Sequence, residues 1–186
     1  PETANTRGVE LCVKFQDGGR GSEYLKRLKP GDKMMATAPY GDFVFHTPTP
    51  GRSPCFIVTG TGMGPIRSMI LSSQFAQNPG EQPLCLFGVK TPNEVLFPGS
   101  LNSSPVQMVY CYSQAHARLA GEFHGRVTDY LRTLPGDWQW HLTDFYLCGN
   151  SSMIQEVKRI LVGGHGVSVD HIHQEIFFNN IPVQKT

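Results

Sequence analysis

The 186-residue sequence has no apolar run approaching the ~20 residues that a membrane-spanning helix needs, and no signal peptide opens it. It has no excess of charge either: 16 basic and 15 acidic residues leave a net +1, too little to build a general field toward nucleic acid or an anionic membrane. The five cysteines, at positions 12, 55, 85, 111 and 148, are odd in number, lie in apolar runs and form no C-x-x-C. That spacing argues against a disulfide framework, a zinc site or an iron–sulfur cluster, and suggests reduced core thiols in a cytoplasmic protein. His171 and His173 share one face of an expected strand, but no third ligand stands at a suitable spacing, which argues against a metal site. What remains is a soluble, globular chain long enough to bury a core, as one ordinary domain or two small ones.

The most informative stretch is Cys55 to Ile70, CFIVTGTGMGPIRSMI. Cys55 to Thr59 is a short apolar, partly β-branched run, the pattern of a parallel strand buried on both faces. Gly60, Gly62 and Gly64 follow, permitting positive φ and close backbone approach. Pro65 suits the start of a helix, and Ile66, Met69 and Ile70 continue at helical spacing. A helix start exposes free N–H groups and a partial positive charge, so the turn is a candidate for holding the pyrophosphate of a dinucleotide. A glycine turn can also do no more than close a tight strand-to-helix connection. The third glycine of G-x-G-x-x-G is replaced here by Pro65.

Before this turn, Val9, Leu11, Val13 and Phe15 alternate with polar or small residues, predicting a half-buried strand. A glycine turn at 17–22 leads to a short helix over 23–28, with Ser22 placed to cap it. Turns at 30–32 and 39–42 separate an expected strand at 33–38 from another ending at Phe45, the pattern of part of an antiparallel barrel. The proline-rich 47–51 reads as a stiff linker, giving a boundary between residues 1–50 and 51–186. Beyond it, strands are expected at 84–89, 106–112, 144–148 and 172–178. One helical face is marked by Val127, Tyr130, Leu131 and Leu134, and a second helix begins in a capping box at Ser152 and stops at Gly163-Gly164. Strands alternating with helices predict a doubly wound parallel α/β sheet, with its ligand at the carboxyl ends of the strands.

The order of these motifs resembles the ferredoxin-NADP reductase superfamily, in which an antiparallel flavin barrel precedes a nicotinamide-nucleotide domain. Gly19-Arg20-Gly21-Ser22-Glu23-Tyr24-Leu25 resembles its flavin-diphosphate loop, and Pro39-Tyr40-Gly41-Asp42-Phe43 the turn that closes the barrel. Gly60-Thr61-Gly62-Met63-Gly64-Pro65-Ile66-Arg67-Ser68 is similar to its nicotinamide-pyrophosphate loop, and Phe87-Gly88-Val89-Lys90-Thr91 to a strand end beside the same ligand. Cys148-Gly149 with Met153-Ile154 resembles the segment whose thiol sits by the nicotinamide. Glu175-Ile176-Phe177 resembles the terminal segment whose aromatic ring covers the flavin. The family's first flavin motif, R-x-Y-S-x-x-S, has no counterpart here, so the expectation is a chain lacking the N-terminal half of the barrel. Phe178 to Thr186 continue beyond the family's usual end.

The resemblance implies an NAD(P)H-dependent flavin oxidoreductase. Hydride would pass between nicotinamide and FAD, and electrons onward to a ferredoxin-like or haem protein. The alternative is a nucleotide-binding module that has lost flavin binding. By the same resemblance the catalytic candidates are Cys148, Glu175 and Phe177. Gly19, Gly21 and Ser22 are the flavin-side candidates. The nicotinamide-nucleotide candidates are Thr59, Gly60, Thr61, Gly62, Met63, Gly64, Pro65, Gly88, Val89, Ser113, Gln114, Arg118, Cys148, Gly149 and Met153. Where phosphate-selecting relatives carry Ser-Arg, this chain has Ser113-Gln114 with His116 and Arg118 nearby, which implies acceptance of both coenzymes. Each candidate also has a plainer reading: Cys148 and Phe177 as core residues, Glu175 as a solvated carboxylate, Arg67 as a helix-surface charge.

Overall fold

A computed structural model describes residues 8–38, 40–117 and 119–178. Its centre is a six-stranded parallel sheet in the order β4-β3-β2-β1-β5-β6. The strands are β1 (Ser53–Thr59), β2 (Leu84–Val89), β3 (Gln107–Tyr112), β4 (Glu122–His124), β5 (Thr143–Asn150) and β6 (Ile172–Phe178). β1 to β4 step outward one by one, and the chain then returns to lay β5 on the other side of β1. That reversal leaves a crevice at the carboxyl ends of β1 and β5, where open α/β sheets hold ligands.

The strands are apolar almost throughout because both faces are covered. Alternation along β1 sends Phe56 and Val58 to one face, where they pack with α2 (Met63–Ile70) and α3 (Ser73–Gln77). Cys55 and Ile57 point to the other, against α4 (Val127–Thr133) and α5 (Ser151–Lys158). α5 runs on through a π-helical turn, Arg159–Gly164, and the left-handed glycine behind it is Gly166 (φ 64°) rather than the expected Gly163-Gly164. Its start is also shifted. Asn150 caps it by accepting the Met153 N–H at 2.8 Å, and Ser152, expected as the cap, lies inside the first turn. β4, only three residues long and too short to show a period, was not expected from the sequence.

The N-terminal stretch departs further from expectation. Residues 9–15, 33–38 and 43–45 form no strand, and among the described residues before β1 the only regular element of more than one turn is α1 (Arg20–Arg27). A strand needs a ladder partner for its N–H and C=O groups, and no described strand pairs with these segments. Val9 is therefore 71% exposed, although the alternation it opens predicts a half-buried strand, and Met35, in the expected strand at 33–38, is fully exposed. Ser22 does not cap α1: Gly19 does, and the buried Ser22 hydroxyl accepts the Gln16 N–H at 2.8 Å. Phe45, placed before the expected boundary, is buried in the sheet's core, edge-on to Phe75 with centroids 5.3 Å apart.

Candidate functional site

The β1-to-α2 connection does what a phosphate-facing turn requires, but its glycines serve different purposes. Gly60 needs its positive φ of 55° to leave the strand and enter a 3₁₀ turn, Gly60–Gly62. Gly62 is helical (φ −56°), and its constraint is space: a Cβ there would sit 2.5 Å from the Cys148 carbonyl oxygen and 3.2 Å from its sulfur. Gly64 is under no such constraint, since a Cβ would meet only the Cys12 Cβ, at 3.5 Å. Pro65 falls in the first turn of α2, where its missing N–H costs no helical bond.

The β5 end meets this turn from the other side. Gly149 has φ 145°, and any Cβ on it would collide with the Thr59 hydroxyl. That hydroxyl in turn accepts the Asn150 N–H at 3.3 Å. Asn150 then carries the helix start, its side-chain oxygen taking both the Met153 N–H and the Ser152 hydroxyl, at 2.8 and 2.9 Å. Two strand-to-helix turns are thus fastened to each other across the switch point.

A cleft of about 1080 Å³ opens beside them. Thr59, Gly60, Thr61, Gly88, Val89, Ser113, Gln114 and Met153, all expected as nucleotide contacts, line it together. Ser113 and Gln114 are held there by N–H bonds to the carbonyls of Val89 and Lys90 (3.1 and 2.9 Å), joining the ends of β2 and β3. Gly62, Met63, Gly64 and Pro65 stand behind this wall, with Met63 buried in the core. Gly19, Gly21 and Ser22 are outside the cleft. They adjoin it through Gln16, a lining residue bonded to both Gly19 and Ser22. Arg118 lies outside the described residues.

The three residues expected to act on the reacting rings are placed less uniformly. Cys148 is fully buried beneath Gly62 and not on the cleft wall. Burial, and secondarily the Glu175 charge, push its thiol up to about 12, so it is a neutral S–H. Glu175 is exposed on β6 directly beside Cys148 in the ladder, and Phe177 is half-buried against the core face that carries Tyr146 and Cys148.

Sequence reasoning missed Lys14, Lys90 and Arg126, the cations that line the cleft, its carboxylates Glu94 and Glu156, and Asn150 and Thr128, which supply polar groups to it. The signal for two of them was available: Lys90 directly follows the Gly88-Val89 strand end, and Asn150 is a residue type that caps helices just after a strand. Arg67 is already engaged, bonded to Ser100 and Glu10 at 3.3 and 3.0 Å and lying 4.6 Å over the Phe97 ring. His171 turns to Asp144 (2.8 Å), while His173 stacks on Tyr146. No group of three metal-ligating side chains gathers among the described residues, and no described helix is long and apolar enough to cross a membrane. Chemically, the cleft offers backbone groups, hydroxyls and three cations, offset by two carboxylates, to an elongated anionic ligand. Its residues are suited to binding and orientation rather than to proton transfer.

Residues 56–159 match the family model described as the oxidoreductase NAD-binding domain. Among curated proteins, the chain is 29% identical over 174 residues to ferredoxin–NADP reductase B of Sorangium cellulosum, covering 89% of this chain and 70% of that one. It is 27% identical over 176 residues to a terephthalate 1,2-dioxygenase reductase component of a Comamonas species, covering 91% of this chain and 51% of the relative. Among solved structures, a cytochrome P450 reductase of Amycolatopsis matches with a TM-score of 0.73 at 25% identity, over 89% of this chain and 50% of that one. A Neisseria gonorrhoeae ferredoxin NADP+ reductase with bound FAD and NADP shares the fold, with a TM-score of 0.70 at 21% identity over 88% of this chain and 72% of its own. The chain therefore spans about half the length of two of these relatives.

Proposed function

Because the chain belongs to the oxidoreductase NAD-binding domain family, within the ferredoxin-NADP reductase superfamily, we propose that it is the nicotinamide-nucleotide half of a flavin-dependent NAD(P)H oxidoreductase that delivers electrons to an iron–sulfur or haem protein. The carrying observation is the contact between the two switch-point turns. Gly62 rests on Cys148 while Thr59 meets Gly149 and Asn150, so both turns face one cleft at a fixed separation. A dinucleotide fits the donors present. Its pyrophosphate would take the turn at Thr59 to Gly62, and its adenosine end the region of Ser113, Gln114, Lys90 and Arg126. With cations lining the cleft but no Ser-Arg pair at the end of β3, NADH and NADPH are both accepted.

In this reading residues 1–50 are the last part of the flavin barrel and residues 51–186 the nucleotide domain. The turn Gly19 to Ser22, at the start of α1 and one residue layer from the cleft, is suited to a flavin diphosphate. FAD, when bound, supplies the hydride acceptor and the stepwise release of single electrons. The chain's own residues do the positioning. Cys148 is a neutral, buried support beneath the Gly62 turn, Phe177 is a ring that must yield when the nicotinamide enters, and Glu175 is the exposed carboxylate beside Cys148 in the β6 register.

The test is anaerobic mixing of the flavin-loaded protein with NADH or NADPH. Bleaching of the flavin absorbance is expected, followed by reduction of an added ferredoxin or cytochrome. Flavin that stays oxidised while nucleotide binds would favour the second reading, a nucleotide-binding module without redox activity. The observation behind that alternative is the unpaired alternation of residues 9–15.

A further inference from the structure

Away from the cleft, three rings from three parts of the chain form one stack. His46 belongs to the segment before the linker, Tyr146 to β5 and His173 to β6. The His46 and His173 rings are 4.6 Å apart, and His173 and Tyr146 4.8 Å apart at 25°. The Tyr146 hydroxyl bonds twice to the same residue, accepting the His46 N–H at 3.1 Å and donating to the His46 carbonyl at 3.2 Å. Phe45, beside it, is buried among Phe56, Phe75 and Tyr146. This is where the N-terminal region enters the core of the sheet, and its central ring is a titratable imidazole.

We propose that His46, Tyr146 and His173 form a proton-operated latch that fastens residues 43–46 to the sheet and loosens when His173 is protonated. The stack is built for a neutral ring: one flat face of His173 meets Tyr146, and a second imidazole lies close by, so a proton there puts charge into a half-buried aromatic sandwich. The groups facing it weigh in the same direction on balance. His173 is held below its ordinary range by burial first, then by His46, and slightly by His171. Asp144 on β5 pulls the other way, but its carboxylate is already bonded to Arg52 at 2.9 Å and to His171 at 2.8 Å. Glu175 lies farther along β6. A histidine whose proton affinity is lowered by folding stabilises the folded contact above about pH 6.5 and loses that contribution as the pH falls through the folded value. The latch needs no nucleotide. It would couple acidity to the freedom of the N-terminal region relative to β6, the strand that carries Glu175 and Phe177.

Amide hydrogen exchange of the whole chain, corrected for intrinsic rates, reads the latch at the His46 N–H. Protection is expected to fall about ten-fold or more between pH 7.5 and pH 5, and to become nearly independent of pH in His173→Phe, which keeps a flat ring without the proton. Tyr146→Phe removes both anchoring bonds and should expose the His46 amide at either pH. If His173→Phe folds poorly, His46→Gln serves instead: it removes the second imidazole, which helps hold the His173 proton affinity down, and should shrink the loss of protection between pH 7.5 and pH 5. Protection in the unaltered chain that does not change with pH, or that changes equally in the variant tested, would overturn the proposal.

Discussion

Residues 8–50 and residues 53–178 carry equally readable patterns, yet only the second set becomes a sheet. Leu11 lies in a clean alternation and is 61% exposed, while Phe56, in a run with no alternation at all, is fully buried. The difference is supply of partners. β1 is flanked by β2 and β5 and covered on both faces, whereas residues 9–15 have no neighbouring strand within the described chain. A pattern states which face a strand would bury, and the rest of the fold decides whether anything is there to bury it against.

The largest effect should come from testing that contrast directly. Phe56→Ala is expected to destabilise the chain by roughly 3–5 kcal/mol through the cavity it leaves, and Leu11→Ala by less than about 0.5 kcal/mol. Urea unfolding measures both, and comparable losses would mean that the N-terminal stretch is packed after all. The glycines sharpen the comparison within the ordered region. Gly62→Ala drives a methyl into the Cys148 carbonyl and should cost about 1–3 kcal/mol along with nucleotide affinity, whereas Gly64→Ala, with only ordinary contact ahead of it, should be close to neutral. Equal effects at the two positions would remove the packing argument for the turn.

How much of this was readable in advance follows the same division. β2 begins and ends where the sequence placed it, because a buried parallel strand is a short apolar run with abrupt ends, and β6 does too, although it is an edge strand with His173, Gln174 and Glu175 at its middle. The turn at Gly60 was legible too, from its glycine spacing, whereas the pairing of β1 with β5 comes from the strand order that the structure shows. The reason for Gly62 was not, as nothing in the local sequence says that a carbonyl from a residue 86 positions later will press on it. Arg126 was missed for the same cause: it is unremarkable in sequence and becomes a neighbour of the cleft only through the order of the strands, whereas the place of Lys90, directly after the Gly88-Val89 strand end, was readable. The barrel strands were legible as pattern and absent as structure, because pairing is not a local property.

A flavin titration extends the contrast to ligands. The nucleotide cleft is walled by sheet and helix, while the Gly19-to-Ser22 turn is contacted by Gln16, and a Cβ at Gly21 would meet nothing within 4 Å among the described residues. FAD should therefore bind this chain alone no better than micromolar, with loss of charge-assisted bonds worth roughly 1.5–3 kcal/mol each relative to a fully walled diphosphate site. Submicromolar affinity would show that residues 8–50 suffice.

The smallest expected effect concerns Cys148, where the two readings of a buried thiol part company. As a core residue it would matter only for stability, and Cys148→Ala would leave a small cavity between β5 and the Gly62 turn. As the support beneath the Gly62 turn, it sets the height at which the turn and its ligand sit, so the variant should bind nucleotide within a few-fold of normal while flavin reduction slows about ten-fold or more, ~1.4 kcal/mol. The thiol need not ionise for this. Its proton affinity is raised to about 12, so the rate should show no dependence on a cysteine titration between pH 6 and 9. The same shift has a stability consequence with a definite sign. Because the unfolded thiol ionises near its ordinary value of 9.0 and the folded one only near 12, the folded chain loses stability as pH rises through that interval. Stopped-flow reduction of the flavin-loaded protein separates rate from affinity. A Cys148→Ala variant that reduces at the normal rate would place the thiol with Cys55, Cys85 and Cys111, as packing alone.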